Sequence, residues 1–236
     1  MRDINPTRRR PIVTQCLIMA NVLCFIPVFW AMLTGDEGLY EHIILTYGFV
    51  PERFLALDPA SIPTIFTSMF IHADIFHIFG NMLFLHIFGD NVEDMLGRAR
   101  YLLFYFTCGL AAVALHVVSC ILLGGFLNTP VVGASGAISG LLGAYLVFFP
   151  RARILTAVLG YYGFYYVVQV RAEYYIGFWF LYQLLWAALS PFVPSPVAYW
   201  AHIGGFIMGL IIALLVKHAV EREPLYAGPH GWSRPW

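Results

Sequence analysis

Ser135 is the residue of this sequence best placed to act as a nucleophile. It lies in GASGAISG, Gly133 to Gly140, at the front of an apolar run that ends at Phe149. A serine needs a neighbouring base to attack a carbonyl, and His202 stands in a later apolar run, just before a GxxxG pattern. Taken alone, the small residues indicate only close helix packing in a membrane. Together, the two residues favour a serine-type active site.

His77 and Asn81 are two further polar residues inside an apolar run, spaced so that they share one helix face. Polar groups at membrane depth are costly and tend to be functional. Hydrogen bonding between helices would explain this pair equally well if it stood alone. Beside a Ser-His pair, the two side chains are candidate donors to an oxyanion, together with the Ser135 backbone N–H. His72 and Asp74, in the preceding loop, are expected to be structural.

The composition is that of a helical membrane protein. Of 236 residues, 60% are hydrophobic and 11% are charged, with a mean hydropathy of +0.76. The formal net charge is zero, so nothing indicates a nucleic-acid partner. The four cysteines have no metal-ligand spacing and no HExxH motif is present, so no metal or other cofactor is expected.

The apolar runs predict an all-α membrane protein with six transmembrane helices. The predicted spans are Ile12 to Leu33, about Ile75 to the acidic cluster at Asp90, Tyr101 to Leu123, Ser135 to Phe149, Tyr174 to Leu189 and Ala198 to Val216. The six-helix domain is assigned to 12–218. Residues 1–11 form an N-terminal tail, and residues 219–236 form a C-terminal tail that we expect to be disordered.

Basic residues set the expected orientation. With six spans, twelve of the thirteen Lys and Arg residues fall on the side of both termini, and only Arg53 falls on the other side. Both tails are therefore expected in the cytoplasm, with the long loop 34–73 outside. A seventh span at 154–170 would place Arg171 outside. This apolar segment is therefore interpreted as an interfacial helix, a strand or a loop.

The two candidate catalytic residues are predicted at one depth. Ser135 lies 16 residues before Arg151, and His202 lies 15 residues before Lys217. At 1.5 Å per residue, both lie roughly 22 Å from the cytoplasmic boundary of a layer about 30 Å thick. Apart from Asp74, the acidic residues are assigned to loops or tails. The sequence therefore predicts a Ser-His dyad without a carboxylate.

Three blocks of the sequence carry a family resemblance. HADIFHIFGNMLFLHIFGDNVEDMLG, GASGAISGLLGAY and VAYWAHIGGFIMG resemble the signature blocks of the rhomboid intramembrane serine proteases, in that family's order. The resemblance covers nearly all of the chain from about Pro11 to His218. It departs at Ser139, where some members carry an aromatic that stacks on the histidine. The first loop also lacks the Trp-Arg pair of some members.

The resemblance implies a six-helix rhomboid-like bundle with Ser135 as nucleophile and His202 as general base. It also implies His77 and Asn81 as oxyanion contributors, and a fifth helix that moves to admit a substrate. The expected function is endopeptidase cleavage of transmembrane or juxtamembrane segments. The expected partners are the lipid bilayer and membrane proteins whose transmembrane segments contain small or helix-breaking residues. The expected location is a bacterial plasma membrane.

Two other function classes compete with this hypothesis. A non-proteolytic relative could bind membrane segments and escort them, although intact Ser135 and His202 argue against it. A transporter or channel could use the intramembrane histidines as a proton relay. A proton relay of this kind would need a carboxylate at mid-membrane depth, and none is predicted there.

Overall fold

Long helices form the body of the protein. The structure is a computed structural model, and it describes residues 2–3, 5, 7–159, 165–190, 192–193 and 195–221. Within that part of the chain, the long helices are α1 (Ile12–Thr34), α5 (Ile75–Leu96), α6 (Arg98–Leu123), α7 (Ser135–Phe148), α8 (Ala172–Leu189) and α9 (Tyr199–Glu221). Each of them lies where a span was predicted. The all-α membrane fold class is therefore confirmed.

Three of these helices, α1, α6 and α9, are long and apolar enough to cross a membrane by length and composition. The helix α7 is apolar but shorter, and α5 and α8 are not among the helices that meet both conditions. The count of six spans and the domain bounds 12–218 therefore stay predictions. Residues 219–221 of the predicted C-terminal tail continue α9, whereas the disorder predicted for 222–236 lies outside the described residues.

Large apolar side chains cover the outward faces of the bundle. Trp30 on α1 is 59% exposed, Phe178 on α8 is 75% exposed and Leu215 on α9 is 78% exposed. In water, such a surface would be unfavourable by about 25 cal/mol for each Å² of apolar area. In a membrane, the same surface contacts the apolar chains of the lipids, so this free-energy cost does not arise. The outer surface therefore agrees with a protein embedded in a membrane.

The helix α7 is the central element of the bundle. Every residue from Ala137 to Tyr145 is buried, so this helix is enclosed on all sides by its neighbours. Its 14 residues make it about 21 Å long, which is less than the roughly 30 Å of a hydrocarbon layer. If one end of α7 reaches one boundary of the hydrocarbon layer, its other end lies below the opposite boundary. Ser135 is the first residue of α7, so it would lie inside the layer.

The long connection between α1 and α5 folds into three short helices. They are α2 (Glu37–Tyr47), α3 (Pro51–Leu55) and α4 (Ser61–Thr67). Asp36 begins α2 by accepting a hydrogen bond from the Leu39 N–H, over 2.9 Å. Phe49 pairs with Val131 through two backbone hydrogen bonds, which tie this connection to the segment before α7.

A small antiparallel sheet accompanies the helices. It consists of β1 (Arg2–Asp3), β2 (Arg153–Leu159) and β3 (Tyr165–Arg171), in the order β1-β2-β3. Described residues of the apolar segment 154–170 are thus strands, in agreement with the prediction that the segment is not a seventh span. Its β-branched and aromatic residues suit a pleated surface. From the sequence alone, an interfacial helix, a strand and a loop were all possible for this segment.

The predicted assignment of the acidic cluster to a loop is wrong, because Asp90, Glu93 and Asp94 lie in the last turns of α5. Glu93 is only 3% exposed. Its carboxylate accepts the backbone N–H of Val13 over 3.0 Å and that of Thr14 over 2.8 Å. The first N–H groups of a helix have no intrahelical acceptor and carry partial positive charge. Glu93 therefore satisfies the start of α1, and the N–H groups of α1 compensate the charge of a carboxylate buried near the end of α5.

Candidate functional site

Ser135 and His202 are in direct contact. Ser135 Oγ and His202 Nε2 lie 2.8 Å apart, which is a hydrogen-bond distance. Ser135 is the first residue of α7, and His202 lies in the first turn of α9. A hydroxyl held against an imidazole nitrogen is the arrangement that general-base activation of a nucleophile needs. The geometry expected from the sequence is present, whereas the catalytic role of the two residues stays a prediction.

Glycines bring the two helices together, as the small-residue pattern predicted. A Cβ added to Gly205 of α9 would overlap the carbonyl oxygen of Gly136 of α7. One turn further on, a Cβ on Gly209 would overlap the carbonyl oxygen of Gly140. The backbones therefore touch directly, and this contact places the start of α7 against the first turn of α9.

His77 lies on the other side of Ser135 and depends on Gly133. Gly133 has a φ of +117°, a conformation that side chains disfavour. A Cβ at this position would also lie 2.6 Å from His77 Nε2 and 3.7 Å from Ser135 Oγ. A glycine here therefore lets the imidazole of His77 approach the loop that ends at Ser135.

The hydrogen bonds at the start of α5 orient His77. Asp74 caps the helix by accepting the His77 N–H over 2.8 Å. The Ala73 N–H donates to His77 Nδ1 over 3.4 Å, so the proton of a neutral ring is on Nε2. That N–H faces the loop beside Ser135. The orientation suits a donor to a developing oxyanion, and the role itself stays a prediction.

Asn81 lies one turn further along α5 and is 8% exposed. Its Nδ2 donates to the His77 carbonyl over 2.8 Å. An amide nitrogen carries two protons, so one remains for another acceptor. Asn81 and His77 line one cavity of about 780 Å³ together with Ser135 and His202. The structure thus gathers the four predicted site residues around one space.

His72 is a structural residue of the loop before α5, as expected. It is fully buried, and its Nε2 accepts the Ala134 N–H over 3.5 Å. Its ring meets that of His77 edge to face, with centroids 5.0 Å apart. Burial removes water from the imidazolium form and lowers the pKa of His72 to about 3, with a smaller contribution from His77. His72 is therefore neutral at physiological pH, as an acceptor of the Ala134 N–H must be.

Gln183 is the residue of the site that the sequence reasoning missed. Its Oε1 lies 2.8 Å from His202 Nδ1, on the side of the ring opposite Ser135. It belongs to α8, which the sequence analysis treated only as an apolar helix that moves. An uncharged polar residue inside an apolar run was the available signal, since such residues are often functional in membranes.

Two aromatic rings lie beside His202, although Ser139 stands where some members of the family that the sequence resembles carry an aromatic. Trp179 of α8 and Tyr199 of α9 have ring centroids 6.2 Å and 6.4 Å from that of His202. The Ser139 hydroxyl donates to the Ser135 carbonyl over 2.6 Å. The Ser139 hydroxyl therefore bonds to the backbone of its own helix.

Comparisons with known proteins agree on one family. The family model of the rhomboid domain matches residues 59–219. Rhomboid protein 1, mitochondrial, of Saccharomyces cerevisiae is 30% identical over 214 residues, which are 89% of this chain and 55% of the yeast protein. The putative rhomboid protease YdcA of Bacillus subtilis is 26% identical over 220 residues, 92% of this chain and 94% of that protein. RHOMBOID-like protein 6, mitochondrial, of Arabidopsis thaliana is 27% identical and is covered over 68% of its length.

We expect Ser139→Ala to change the reactivity of Ser135 by no more than a few-fold. The hydroxyl is bonded to the Ser135 carbonyl and not to the imidazole, and its loss costs about 1 kcal/mol of stability. The rate at which a fluorophosphonate labels Ser135 in purified protein measures the first effect, and the melting temperature measures the second. A tenfold slower reaction at unchanged stability would show that Ser139 orients His202.

Proposed function

The chain belongs to the rhomboid family, and from that premise we propose that it is an intramembrane serine endopeptidase with a Ser135-His202 dyad. One observation carries the proposal, namely the 2.8 Å contact between Ser135 Oγ and His202 Nε2 inside an apolar helix bundle. A serine hydroxyl in a helix could be satisfied by a carbonyl of that helix, as that of Ser139 is. The bond to a histidine from another helix instead gives Ser135 a base.

In the proposed reaction, His202 Nε2 takes the Ser135 proton while Oγ attacks a substrate carbonyl carbon. The carbonyl oxygen becomes an oxyanion. When the tetrahedral intermediate collapses, the C–N bond breaks and His202 gives its proton to the departing amine. Water then attacks the acyl-enzyme, His202 takes a proton from that water, and Ser135 regains its proton as the product acid leaves. No cofactor enters any step.

The oxyanion would be stabilised by three donors around Ser135. The Ser135 N–H lies at the start of α7, where backbone N–H groups lack intrahelical acceptors. His77 carries its proton on Nε2, beside Gly133. Asn81 keeps one amide proton that its bond to the His77 carbonyl does not use. Donors fixed before the reaction need no reorganisation when charge develops, which makes them effective.

The proposed substrates are membrane proteins with small or helix-breaking residues in a transmembrane segment. An intact helix holds its carbonyls in backbone hydrogen bonds, so the chain must unwind before Ser135 can attack. The contacts between α5 and α8 include the ring of Tyr175 against those of Phe84 and Phe88, each with centroids 6.5 Å apart. Nearer the start of α5, Phe76 is 87% exposed. We propose that the substrate approaches Ser135 between these two helices.

The proposed location is a bacterial plasma membrane with both termini in the cytoplasm. The distribution of basic residues supports this orientation. The Bacillus subtilis relative, which the chain matches over nearly its whole length, supports a bacterial membrane. Two of the relatives are named as mitochondrial, so the family is not confined to bacteria.

We expect Ser135→Ala and His202→Ala each to abolish cleavage of a reconstituted transmembrane substrate, with folding retained. Fluorophosphonate labelling should be lost in both variants, because Ser135→Ala lacks the hydroxyl and the serine of His202→Ala is not activated. Ser119→Ala is the matched control, since Ser119 lines the same cavity and its hydroxyl donates to the His116 carbonyl. A substrate whose segment is entirely leucine should resist cleavage. Cleavage by Ser135→Ala would mean that another residue is the nucleophile. A parent protein that is neither labelled nor active would favour the non-proteolytic alternative.

We expect the double variant His77→Ala, Asn81→Ala to lower kcat strongly, since the loss of one oxyanion donor typically lowers kcat by a factor of about 10² to 10³. Each single variant should lose less if the remaining donors compensate. His86→Ala is the matched control, because His86 lies on the same helix and is exposed. An unchanged kcat in the double variant would assign His77 and Asn81 to helix packing alone.

Cysteine labelling in intact cells tests the orientation. In a background without the four native cysteines, Glu37→Cys should react with an impermeant reagent, because α2 belongs to the loop assigned to the outside. Ala99→Cys, exposed at the start of α6 between Arg98 and Arg100, should react only after the cells are permeabilised. The reverse pattern would invert the proposed topology.

A further inference from the structure

The base of the proposed reaction must have its proton on the correct nitrogen. His202 Nε2 faces Ser135 Oγ, so it can accept the serine proton only when the single proton of the neutral ring is on Nδ1. In many serine hydrolases, a carboxylate bonded to Nδ1 selects this tautomer. The sequence predicted no such carboxylate, so another group must make the selection.

Gln183 stands at the position where that group is needed. Its Oε1 lies 2.8 Å from Nδ1, and the residue is only 4% exposed. An amide oxygen accepts and cannot donate, so this contact places the proton on Nδ1. The opposite amide orientation would aim N–H at Nδ1 and move the ring proton to Nε2. His202 would then have no lone pair for Ser135.

We propose that Gln183 is a positioning residue that holds His202 in the tautomer protonated at Nδ1. This inference deepens the proposed proteolytic function and depends on it for its catalytic meaning. The three groups form one directed chain, in which Ser135 O–H donates to Nε2 and Nδ1–H donates to the Gln183 oxygen. A neutral amide does this without burying a charge, which would be costly in an apolar bundle.

The packing of α8 fixes Gln183 in this place. Residues one turn before and one turn after it lie on the same helix face. Trp179 packs near the His202 ring with a centroid distance of 6.2 Å, and Ala187 is fully buried in a cluster with Tyr199 and Ile203. On the other side of α8, Leu185 is 58% exposed. The face that carries Gln183 is therefore the face that docks on α9, so the side chain has little freedom to turn away.

Two substitutions separate the hydrogen bond from packing. Gln183→Leu keeps a similar volume and removes the acceptor, so we expect kcat and the rate of fluorophosphonate labelling to fall tenfold or more, with KM nearly unchanged. Gln183→Glu keeps an acceptor oxygen and should restore both rates to within a few-fold of the parent. Leu185→Ala, on the exposed side of the same helix, should leave them unchanged. Equal losses in the Leu and Glu variants at the melting temperature of the parent, or a Leu variant as fast as the parent, would overturn the proposal.

The tautomer of His202 can also be measured directly, without an activity assay. In protein labelled with ¹⁵N-histidine, the His202 signals, identified by their loss in His202→Ala, should show a protonated Nδ1 in the parent. In Gln183→Leu, the same signals should show a mixture of tautomers. Identical spectra in the two proteins would contradict the role of Gln183 even if the parent is an active protease. A parent that has the Nδ1 tautomer but no activity would instead contradict the proteolytic function.

Discussion

The direct backbone contact between α7 and α9 is the constraint on which the site depends. In lipid, no hydrophobic force draws helices together, so their association relies on close packing and hydrogen bonds. Gly205 and Gly209 lie against the carbonyls of Gly136 and Gly140, where a single methyl group has no room. A hydrogen bond of 2.8 Å tolerates a shift of only a few tenths of an ångström before it weakens. The glycines therefore decide whether Ser135 can bond to the histidine of the neighbouring helix.

Around this contact, the polar groups are arranged so that the central chain carries no formal charge. Ser135, His202 and Gln183 can all be neutral at rest, and the Ser135 O–H and the His202 Nδ1–H each have an acceptor. The carboxylates of this region lie elsewhere: Asp74 caps α5 at its start, and Glu93 satisfies the start of α1 near the opposite end of α5. Helix starts are where a buried carboxylate is best compensated, because the N–H groups there are otherwise unpaired. Placing the charges at helix ends leaves the middle of the bundle free for neutral hydrogen bonds.

The features that the sequence predicted depend on the spacing and composition of residues along the chain. The long helices, the glycine contact and the meeting of Ser135 with His202 follow from apolar runs and from equal depth. What the sequence did not predict depends on how separate elements rotate and dock. Gln183 reaches His202 only because α8 turns its Trp179 face towards α9, and nothing in one helix specifies that rotation. The carboxylate of Glu93 can be buried near the end of α5 because the start of α1 lies beside it.

A consequence follows from the position of Gln183 on α8. This is the fifth of the long helices, which the family resemblance implies must move to admit a substrate. A substrate helix is about 10 Å across, so a movement that admits it is several times the length of the bond between Gln183 and His202. If the movement includes the turn that carries Gln183, the bond breaks and His202 loses its tautomer-selecting partner while the bundle is open. His202 would then regain the tautomer protonated at Nδ1 only when α8 moves back and closes around the unwound substrate. In such an arrangement, access to Ser135 and activation of Ser135 are coupled through one side chain, and the open state is less reactive than the closed one.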